Sequence, residues 1–342
     1  MRLGIIGLSY AGKTTVFEAL TKNIAGPGAK EESRIGSIKV PDARVDKLSD
    51  MYNPKKTTFA QVEYLLPGIG SQHKDKMQHL ANQVRDCDAL VHVLRNFTIP
   101  GLEAPTPFED FVKLDEELRL SDFVVAEKRM ERLQLDKQKG RKMDPEEMNL
   151  IQGCLERLEN EEPIRKNPEL AASKALRGFA FLSAKPVFAL FNNNDEDDNP
   201  PAFPESGFEE EYLVVRGKIE HEIAQMTDEE AKEFMEEFEI KASTTDRLIR
   251  KSYELLGLIS FFTVGEDEVR AWTIKKDTIA LDAAEVIHSD IKKGFIRAEV
   301  LSYDDLMDAG SHAEARKKGT VRLEGKTYVV QDGDIINFRF NV

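Results

Sequence analysis

The segment Gly7-Leu8-Ser9-Tyr10-Ala11-Gly12-Lys13-Thr14 matches the phosphate-binding pattern G-x-x-x-x-G-K-[ST]. A short apolar run at residues 3–6 precedes it, and residues 15–21 have the character of a helix start. A turn between a strand and a helix directs several backbone N–H groups to one point, with the helix dipole behind them. The pattern therefore predicts a nucleotide-binding P-loop.

The motif also assigns roles within the loop. Lys13 is expected to reach the β- and γ-phosphates, and the Thr14 hydroxyl is expected to ligate Mg²⁺, the predicted cofactor. Thr14 is the only metal ligand that we assign from the sequence. The predicted phosphate contacts are Gly7, Ser9, Tyr10, Ala11, Gly12, Lys13, Thr14 and Thr15.

Composition limits the class of protein. The chain of 342 residues should hold two or three domains. Cys87 and Cys154 are too few for a disulfide framework or a zinc site. Met1 runs straight into the first strand, and no apolar run approaches the ~18 residues of a membrane span. We therefore expect a reduced, cytoplasmic protein without a membrane partner.

The net charge of −14 is unevenly distributed. Residues 190–240 carry 17 acidic side chains against Arg216, Lys218 and Lys232, so the rest of the chain is neutral. The composition therefore does not exclude a surface for RNA or the ribosome elsewhere in the chain.

Apolar patterning predicts the order of the elements. Strand-like runs at 35–40, 61–66 and 89–94 indicate an α/β region, with His92 as a packed strand residue. Two amphipathic helical patterns between 114 and 160 predict an antiparallel hairpin. Strand character returns at 185–191, so the hairpin is an insertion. Short strand-like runs after 259, separated by Gly-Asp turns, predict a small α+β domain.

This order, together with several motifs, resembles the YchF (Obg-like ATPase) family of translation-factor P-loop GTPases. The most specific segments lie in the C-terminal half and cover residues 246–250, 253–259, 268–274, 294–300 and 328–334. Residues 40–48 and 127–133 match as well, so the resemblance covers essentially the whole chain.

The resemblance implies an α/β P-loop NTPase fold, in which a G domain carries an inserted α-helical hairpin and is followed by a C-terminal α+β TGS domain. The expected boundaries are 1–112 and 181–258 for the two parts of the G domain, 113–180 for the helical (coiled-coil) insertion and 259–342 for the TGS-like domain. It also implies a slow ATP- or GTP-hydrolysing switch in the cytoplasm, associated with the ribosome or RNA. Neither DNA nor a membrane is an expected partner.

The switch regions depart from the family pattern. A GTPase-like site needs an Asp, usually in D-x-x-G at the end of a strand, to help hold Mg²⁺. Leu66 stands where we expect that Asp, and leucine cannot coordinate a hard cation. Glu63 is a poor substitute by register, and Ser33 is out of register for the switch I Thr. Catalytic residues stay unassigned, and neither Gln72 nor His73 is taken to orient water. The alternative function is thus a nucleotide-binding regulatory module with little or no hydrolysis.

The predicted base-reading element is Asn192-Asn193-Asn194-Asp195, which fits N-x-x-D. Asp195 could accept hydrogen bonds from guanine N1–H and N2, which favours GTP, whereas many family members prefer ATP. Lys218 stands where the family has its S-A-K loop. Asn192, Asp195 and Lys218 are therefore the candidate base contacts. Alternatively, Asp195 is simply the first residue of an acidic loop.

Basic pairs in the C-terminal region suggest a third role, which is docking to RNA. They are Lys275-Lys276, Lys292-Lys293 and Arg316-Lys317-Lys318. Ordinary solvated charges explain them equally well, because the same region holds comparable acid.

Overall fold

A computed structural model describes residues 1–24, 32–68, 76–141, 144–205, 207–237 and 244–341. Contacts between Cα atoms divide the chain into two compact units. The first unit comprises residues 1–38 and 63–248, and the second comprises 39–62 and 249–342.

The strands are numbered in chain order: β1 (Arg2–Ile6), β2 (Arg34–Lys39), β3 (Lys56–Thr58), β4 (Gln61–Leu66), β5 (Ala89–Asn96), β6 (Val187–Asn193), β7 (Tyr212–Val215), β8 (Leu258–Thr263), β9 (Glu268–Lys275), β10 (Phe295–Ser302), β11 (Arg322–Glu324) and β12 (Asp334–Phe340).

The helices are numbered likewise: α1 (Lys13–Thr21), α2 (Ala43–Tyr52), α3 (Lys76–Val84), α4 (Pro107–Gln138), α5 (Pro145–Glu159), α6 (Pro168–Ala172), α7 (Gly217–Ala224), α8 (Asp228–Glu237), α9 (Thr244–Leu255), α10 (Ala280–Ile287), α11 (Ser289–Lys293), α12 (Tyr303–Ala309) and α13 (His312–Lys318).

The sheet of the first unit has the strand order β2-β4-β1-β5-β6-β7. β1 pairs in parallel with β4 and β5, and parallel pairing continues from β5 to β6 and from β6 to β7. Every residue of β6 is buried, which explains the continuous apolar run in the sequence. The carboxyl ends of β1, β5 and β6 meet at one edge, where open α/β sheets bind ligands.

The inserted hairpin consists of α4 and α5. Asp144 caps α5 by accepting a hydrogen bond from the Glu146 backbone N–H at 3.0 Å. The facing stripes of the two helices share a buried apolar cluster that includes Ala126, Met130, Ile151, Cys154 and Leu155. The predicted helical hairpin is thus confirmed.

Asp122, in the middle of α4, ties the hairpin to the segment that leads into β6. Its carboxylate is fully buried and accepts hydrogen bonds from the backbone N–H groups of Leu182 at 2.9 Å and Ser183 at 2.6 Å. Burial raises the pKa of Asp122, while these hydrogen bonds act to lower it.

The second unit is built on a mixed sheet with the order β11-β10-β12-β8-β9-β3. β8 pairs antiparallel with β9, and β10 pairs antiparallel with β11 and β12. Phe261, Ile274, Val300 and Phe338 form part of its buried core. The predicted α+β character of the C-terminal region is confirmed.

Residues 39–62 group with this second unit, although they lie between strands of the first sheet in sequence. The pairing of β3 with β9, with Lys56 opposite Glu268, accounts for this grouping. The division into the four predicted segments, 1–112, 113–180, 181–258 and 259–342, stays a prediction. Among the helices that the structure describes, none combines the length and apolar character of a membrane span.

Candidate nucleotide-binding site

The loop between β1 and α1 needs glycine at both ends. Gly7 has φ +149°, and a Cβ there would lie 2.4 Å from the Val93 carbonyl oxygen. Gly12 has φ +91°, and a Cβ there would lie 2.2 Å from Nδ2 of Asn192. Tyr10 also has a positive φ of 65°, so the loop turns tightly. The two glycines allow the loop to pack against β5 and β6 at the carboxyl edge of the sheet.

Lys13 directs its charge back over this loop. Its Nζ donates hydrogen bonds to the carbonyl oxygens of Gly7 at 2.8 Å and Leu8 at 2.7 Å. Burial lowers the pKa of Lys13 to about 8. The ammonium is therefore held close to the loop, where an anionic phosphate would favour its protonated form.

The other predicted phosphate contacts surround Lys13 on the loop and the first turn of α1. Ser9, Tyr10 and Thr14 are exposed, Thr15 is half-buried and Ala11 is buried. The structure thus brings the eight residues together, and their contact with a nucleotide stays a prediction.

Mg²⁺ would need ligands from this same region. No group of three or more His, Cys, Asp or Glu side chains that could hold a metal occurs in the described part of the chain. Mg²⁺ commonly binds through few protein ligands together with substrate phosphates and water. The exposed Thr14 hydroxyl fits that mode of binding.

Asn192 connects the phosphate side of the site to the base side. Its Nδ2 donates to the Ala11 carbonyl at 3.1 Å, and its Oδ1 accepts from the Gly217 N–H at 3.0 Å. The side chain is almost fully buried, and a Cβ on Gly217 would lie 2.7 Å from its Oδ1. The Asn192 amide therefore holds the β1–α1 loop and the start of α7 in place.

Asp195 and Lys218 lie together, as the predicted base-binding motif requires. Lys218 Nζ is 3.0 Å from Asp195 Oδ2, and this hydrogen bond raises the pKa of Lys218. Arg216 donates to the Asp195 carbonyl at 3.4 Å and pairs with Asp198 at 2.9 Å. Three contacts thus link the acidic loop to Arg216 and Lys218 at the start of α7.

Asn193 replaces the lysine of the guanine-reading motif and is turned inward. It accepts a hydrogen bond from Asn96 at 2.8 Å and donates to the carbonyls of Asp197 at 2.9 Å and Asn199 at 2.7 Å. With 3% of its surface exposed, it stabilises the acidic loop and cannot cover the face of a base.

Phe97 is an aromatic neighbour of the loop that sequence reasoning missed. Its ring edge lies 3.9 Å from the position that a Cβ on Gly12 would occupy, and the side chain is half-buried. It follows β5 by one residue. Ligands of open α/β sheets bind at the carboxyl ends of the strands, so the position of Phe97 directly after β5 could have identified it.

The strand end before Gly68 holds no carboxylate. A D-x-x-G pattern with Gly68 as its glycine has its Asp position at Leu65. This is one residue before Leu66, the position expected from the sequence. Leu65 is 5% and Leu66 is 7% exposed, so either register places a buried apolar side chain there. Glu63 is paired with Arg2 at 3.0 Å. Gln83 holds Gly68 by accepting from its N–H at 2.8 Å and donating to its carbonyl at 3.1 Å.

The remaining switch candidates are Ser33, Gln72 and His73. Ser33 is exposed and directly precedes β2. Gln72 and His73 lie outside the described residues.

A cluster of polar side chains joins α1 to two other elements. Glu18 of α1 pairs with Arg34 of β2 at 2.8 Å and with His221 of α7 at 3.1 Å. The Arg34 guanidinium also lies over the Phe17 ring, 4.8 Å from its centroid. The helix that follows the P-loop is therefore tied both to the strand after the switch I segment and to the base-side helix.

His92 is confirmed as a packed strand residue. It is 1% exposed and stacks on Phe111 with ring centroids 5.1 Å apart. Burial, followed by the charges of Lys13 and Arg165, lowers the pKa of His92 to about 3. The imidazole is therefore neutral at physiological pH.

Comparisons with known proteins agree with this architecture. The family model YchF-GTPase_C, described as a protein of unknown function (DUF933), matches residues 258–341. The "Ribosome-binding ATPase YchF" of Bacillus subtilis (strain 168) is 38% identical over 362 residues, which cover 99% of each chain. The protein of the same name from Haemophilus ducreyi is 37% identical over 366 residues, covering 100% of this chain and 99% of its own.

Solved structures show the same relationship. The structure of the Schizosaccharomyces pombe YchF GTPase matches with a TM-score of 0.82 and 30% identity, over 99% of this chain and 97% of that chain. A GTP binding protein from Pyrococcus horikoshii, at 18% identity and a TM-score of 0.59, shares the fold. The full-length identity to the curated relatives shows that this chain belongs to the YchF family.

Proposed function

We propose that the chain is a Mg²⁺-dependent P-loop nucleoside triphosphatase that acts as a slow switch at the ribosome. The observation that carries this proposal is the position of the Lys13 ammonium, 2.8 Å from the Gly7 carbonyl and 2.7 Å from that of Leu8. Backbone N–H groups of the loop and the N-terminus of α1 would bind the phosphates. Lys13 would offset the charge on the β- and γ-phosphates, and Thr14 would hold Mg²⁺.

The relatives support both the reaction and the partner. Those from Bacillus subtilis and Haemophilus ducreyi are named ribosome-binding ATPases, and the one from Schizosaccharomyces pombe is called a GTPase. We therefore propose ATP or GTP as the substrate and the ribosome as the partner. An association with ribosomes would place the protein in the cytoplasm.

The test of the site is the loss of its central charge. Lys13→Ala should abolish the binding of labelled ATP and GTP in the presence of Mg²⁺, because no other predicted phosphate contact carries a full positive charge. Lys22→Ala is the matched control, since Lys22 is an exposed lysine just beyond the far end of α1. Equal nucleotide binding by Lys13→Ala and the native chain would show that the site is wrongly assigned.

A second candidate function is a nucleotide-binding module with little turnover. The buried leucines at the end of β4 favour it, because neither Leu65 nor Leu66 can help to hold Mg²⁺. It predicts tight nucleotide binding, weak dependence on Mg²⁺ and little phosphate release. Robust Mg²⁺-dependent release of phosphate by the native chain would exclude this function. A gain of turnover in Leu65→Asp or Leu66→Asp would support it and identify the register.

A further inference from the structure

The Gln83 side chain, on α3, holds both backbone polar groups of Gly68. It accepts a hydrogen bond from the Gly68 N–H at 2.8 Å and donates one to the Gly68 carbonyl at 3.1 Å. Gly68 is buried and Gln83 is half-buried. The amide thus pairs with Gly68 as a residue of a neighbouring strand would, with one hydrogen bond in each direction. Because a buried backbone group without a partner is costly, the two bonds stabilise this orientation of Gly68.

Gly68 lies beside the start of the P-loop. β1 and β4 pair in parallel, with Gly4 opposite Leu65. Gly7 is three residues beyond Gly4, and Gly68 is three residues beyond Leu65, so both chains leave the sheet at the same carboxyl edge. The buried apolar cluster that contains Leu65 also includes residues of α3, and Leu8 of the P-loop packs against it. The Gly68 N–H is therefore a backbone donor next to the predicted phosphate site.

A γ-phosphate would compete with Gln83 for this donor. In P-loop switches, contacts to the γ-phosphate hold the switch segments and are released when that phosphate leaves. Backbone N–H groups are well suited to such contacts with phosphate oxygens. Here the Gly68 N–H donates to Oε1 of Gln83, so a triphosphate gains this donor only by separating the two residues. A diphosphate has no γ-phosphate and leaves them paired, which gives the two ligands different affinities for the observed arrangement.

We propose that Gln83 is a positioning residue that lowers the affinity of the site for nucleoside triphosphates relative to diphosphates, because it holds the Gly68 N–H away from the γ-phosphate. This inference rests on the proposed nucleotide site and adds a preference between its substrate and its product. The end of β4 offers no compensation, since neither Leu65 nor Leu66 has an oxygen that could help to hold Mg²⁺ beside a triphosphate. A site that releases its diphosphate slowly also turns over slowly.

The experiment is a calorimetric titration of the full chain, in the presence of Mg²⁺, with ADP and a non-hydrolysable ATP analogue and with the corresponding guanine nucleotides. Gln83→Met keeps the length of the side chain but removes both hydrogen bonds. It should raise the affinity for the triphosphate analogue relative to the diphosphate by about tenfold. Gln152→Met is the matched control. Gln152 is an exposed glutamine of α5 that bonds Glu156 on the same helix at 3.1 Å, and its loss should leave the ratio unchanged.

Gln83→Glu tests the acceptor itself. A carboxylate at this position still accepts from the Gly68 N–H, so the ratio of triphosphate to diphosphate affinity should stay at or below its native value. An equal rise of the ratio in both Gln83 variants would overturn the inference, because the acceptor would then not matter.

An unchanged or lower ratio in Gln83→Met would overturn the inference as well, and so would loss of diphosphate binding in that variant, which would show that Gln83 supports the whole site. The proposed nucleotide site itself is judged separately. Failure of the native chain to bind any of the four nucleotides would overturn that site, and this inference with it.

Discussion

At the scale of single residues, Lys13 shows how a contiguous motif can be predicted while its electrostatics cannot. The pattern alone indicates that this lysine meets phosphate. Its lowered pKa follows from burial against the loop carbonyls, which depends on how β1 and α1 fold around it.

The pKa of Lys13 leads to a prediction about pH. Nucleotide phosphates have a second pKa of about 6 and stay ionised above neutral pH. The dependence of ADP affinity on pH above neutrality should therefore come from Lys13. Because burial lowers the pKa of Lys13 to about 8, ADP affinity should fall by up to about tenfold per pH unit above that value. Calorimetry between about pH 7 and pH 9.5 measures the slope. A flat profile would show that Lys13 does not meet the phosphates as a cation.

Other residues of the site could not be predicted, because their partners are distant in sequence. Glu18, Arg34 and His221 come from three elements, and nothing local indicates that they meet. Asn193 matches its motif by position, but its inward orientation depends on Asn96 and the acidic loop.

At the scale of elements, the helical hairpin followed from its apolar spacing, whereas its attachment did not. The 3.6-residue period of α4 and α5 is a local property and predicts two packed helices. The anchor at Asp122 joins residues 60 positions apart through buried backbone groups.

We predict that Asp122→Ala destabilises the first unit by about 2–4 kcal/mol, because two buried N–H groups lose their acceptor. The measurement is the free energy of unfolding from urea denaturation followed by circular dichroism. Glu117→Ala, an exposed position on the same helix, should have an effect within about 0.5 kcal/mol. Comparable stabilities of the two variants would show that Asp122 is not an anchor.

At the scale of the whole molecule, the distribution of charge bears on the proposed binding to the ribosome. Several of the lysines that suggested RNA docking form ion pairs with nearby carboxylates. Lys292 pairs with Asp282 at 3.0 Å and Glu285 at 2.5 Å, and Lys317 pairs with Glu314 at 2.6 Å.

Two arginines of the second unit give its surface more unpaired positive charge than these lysines do. The carboxylate of Glu299 is 5% exposed and accepts from both Arg316 and Arg339, whose own side chains are 61% and 52% exposed. Burial acts to raise the pKa of Glu299, but hydrogen bonds from Arg339 and Arg316 leave it lowered. Two guanidinium groups on one carboxylate leave a net positive charge at the surface.

We predict that Arg316→Gln/Arg339→Gln weakens binding of the full chain to ribosomal RNA and reduces its dependence on salt, because the slope scales with the number of phosphates that the protein neutralises. Glutamine keeps a donor for Glu299, so the fold should survive. Lys166→Ala/Lys232→Ala removes the same charge from the first unit and serves as the control. Filter binding over a salt series measures both quantities. If the control variant has an equal effect, the arginines are not the docking surface.

The sequence by itself determined the P-loop, the order of α/β sheet, helical insertion and α+β region, and the resemblance to the YchF family. Those features depend on contiguous motifs and on the periodicity of apolar residues, which are local properties of a chain. Only the tertiary structure decided that residues 39–62 group with 249–342, that Asn192 joins two loops and that Lys218 pairs with Asp195. Each of these depends on contacts between segments far apart in sequence, whose meeting depends on the fold as a whole.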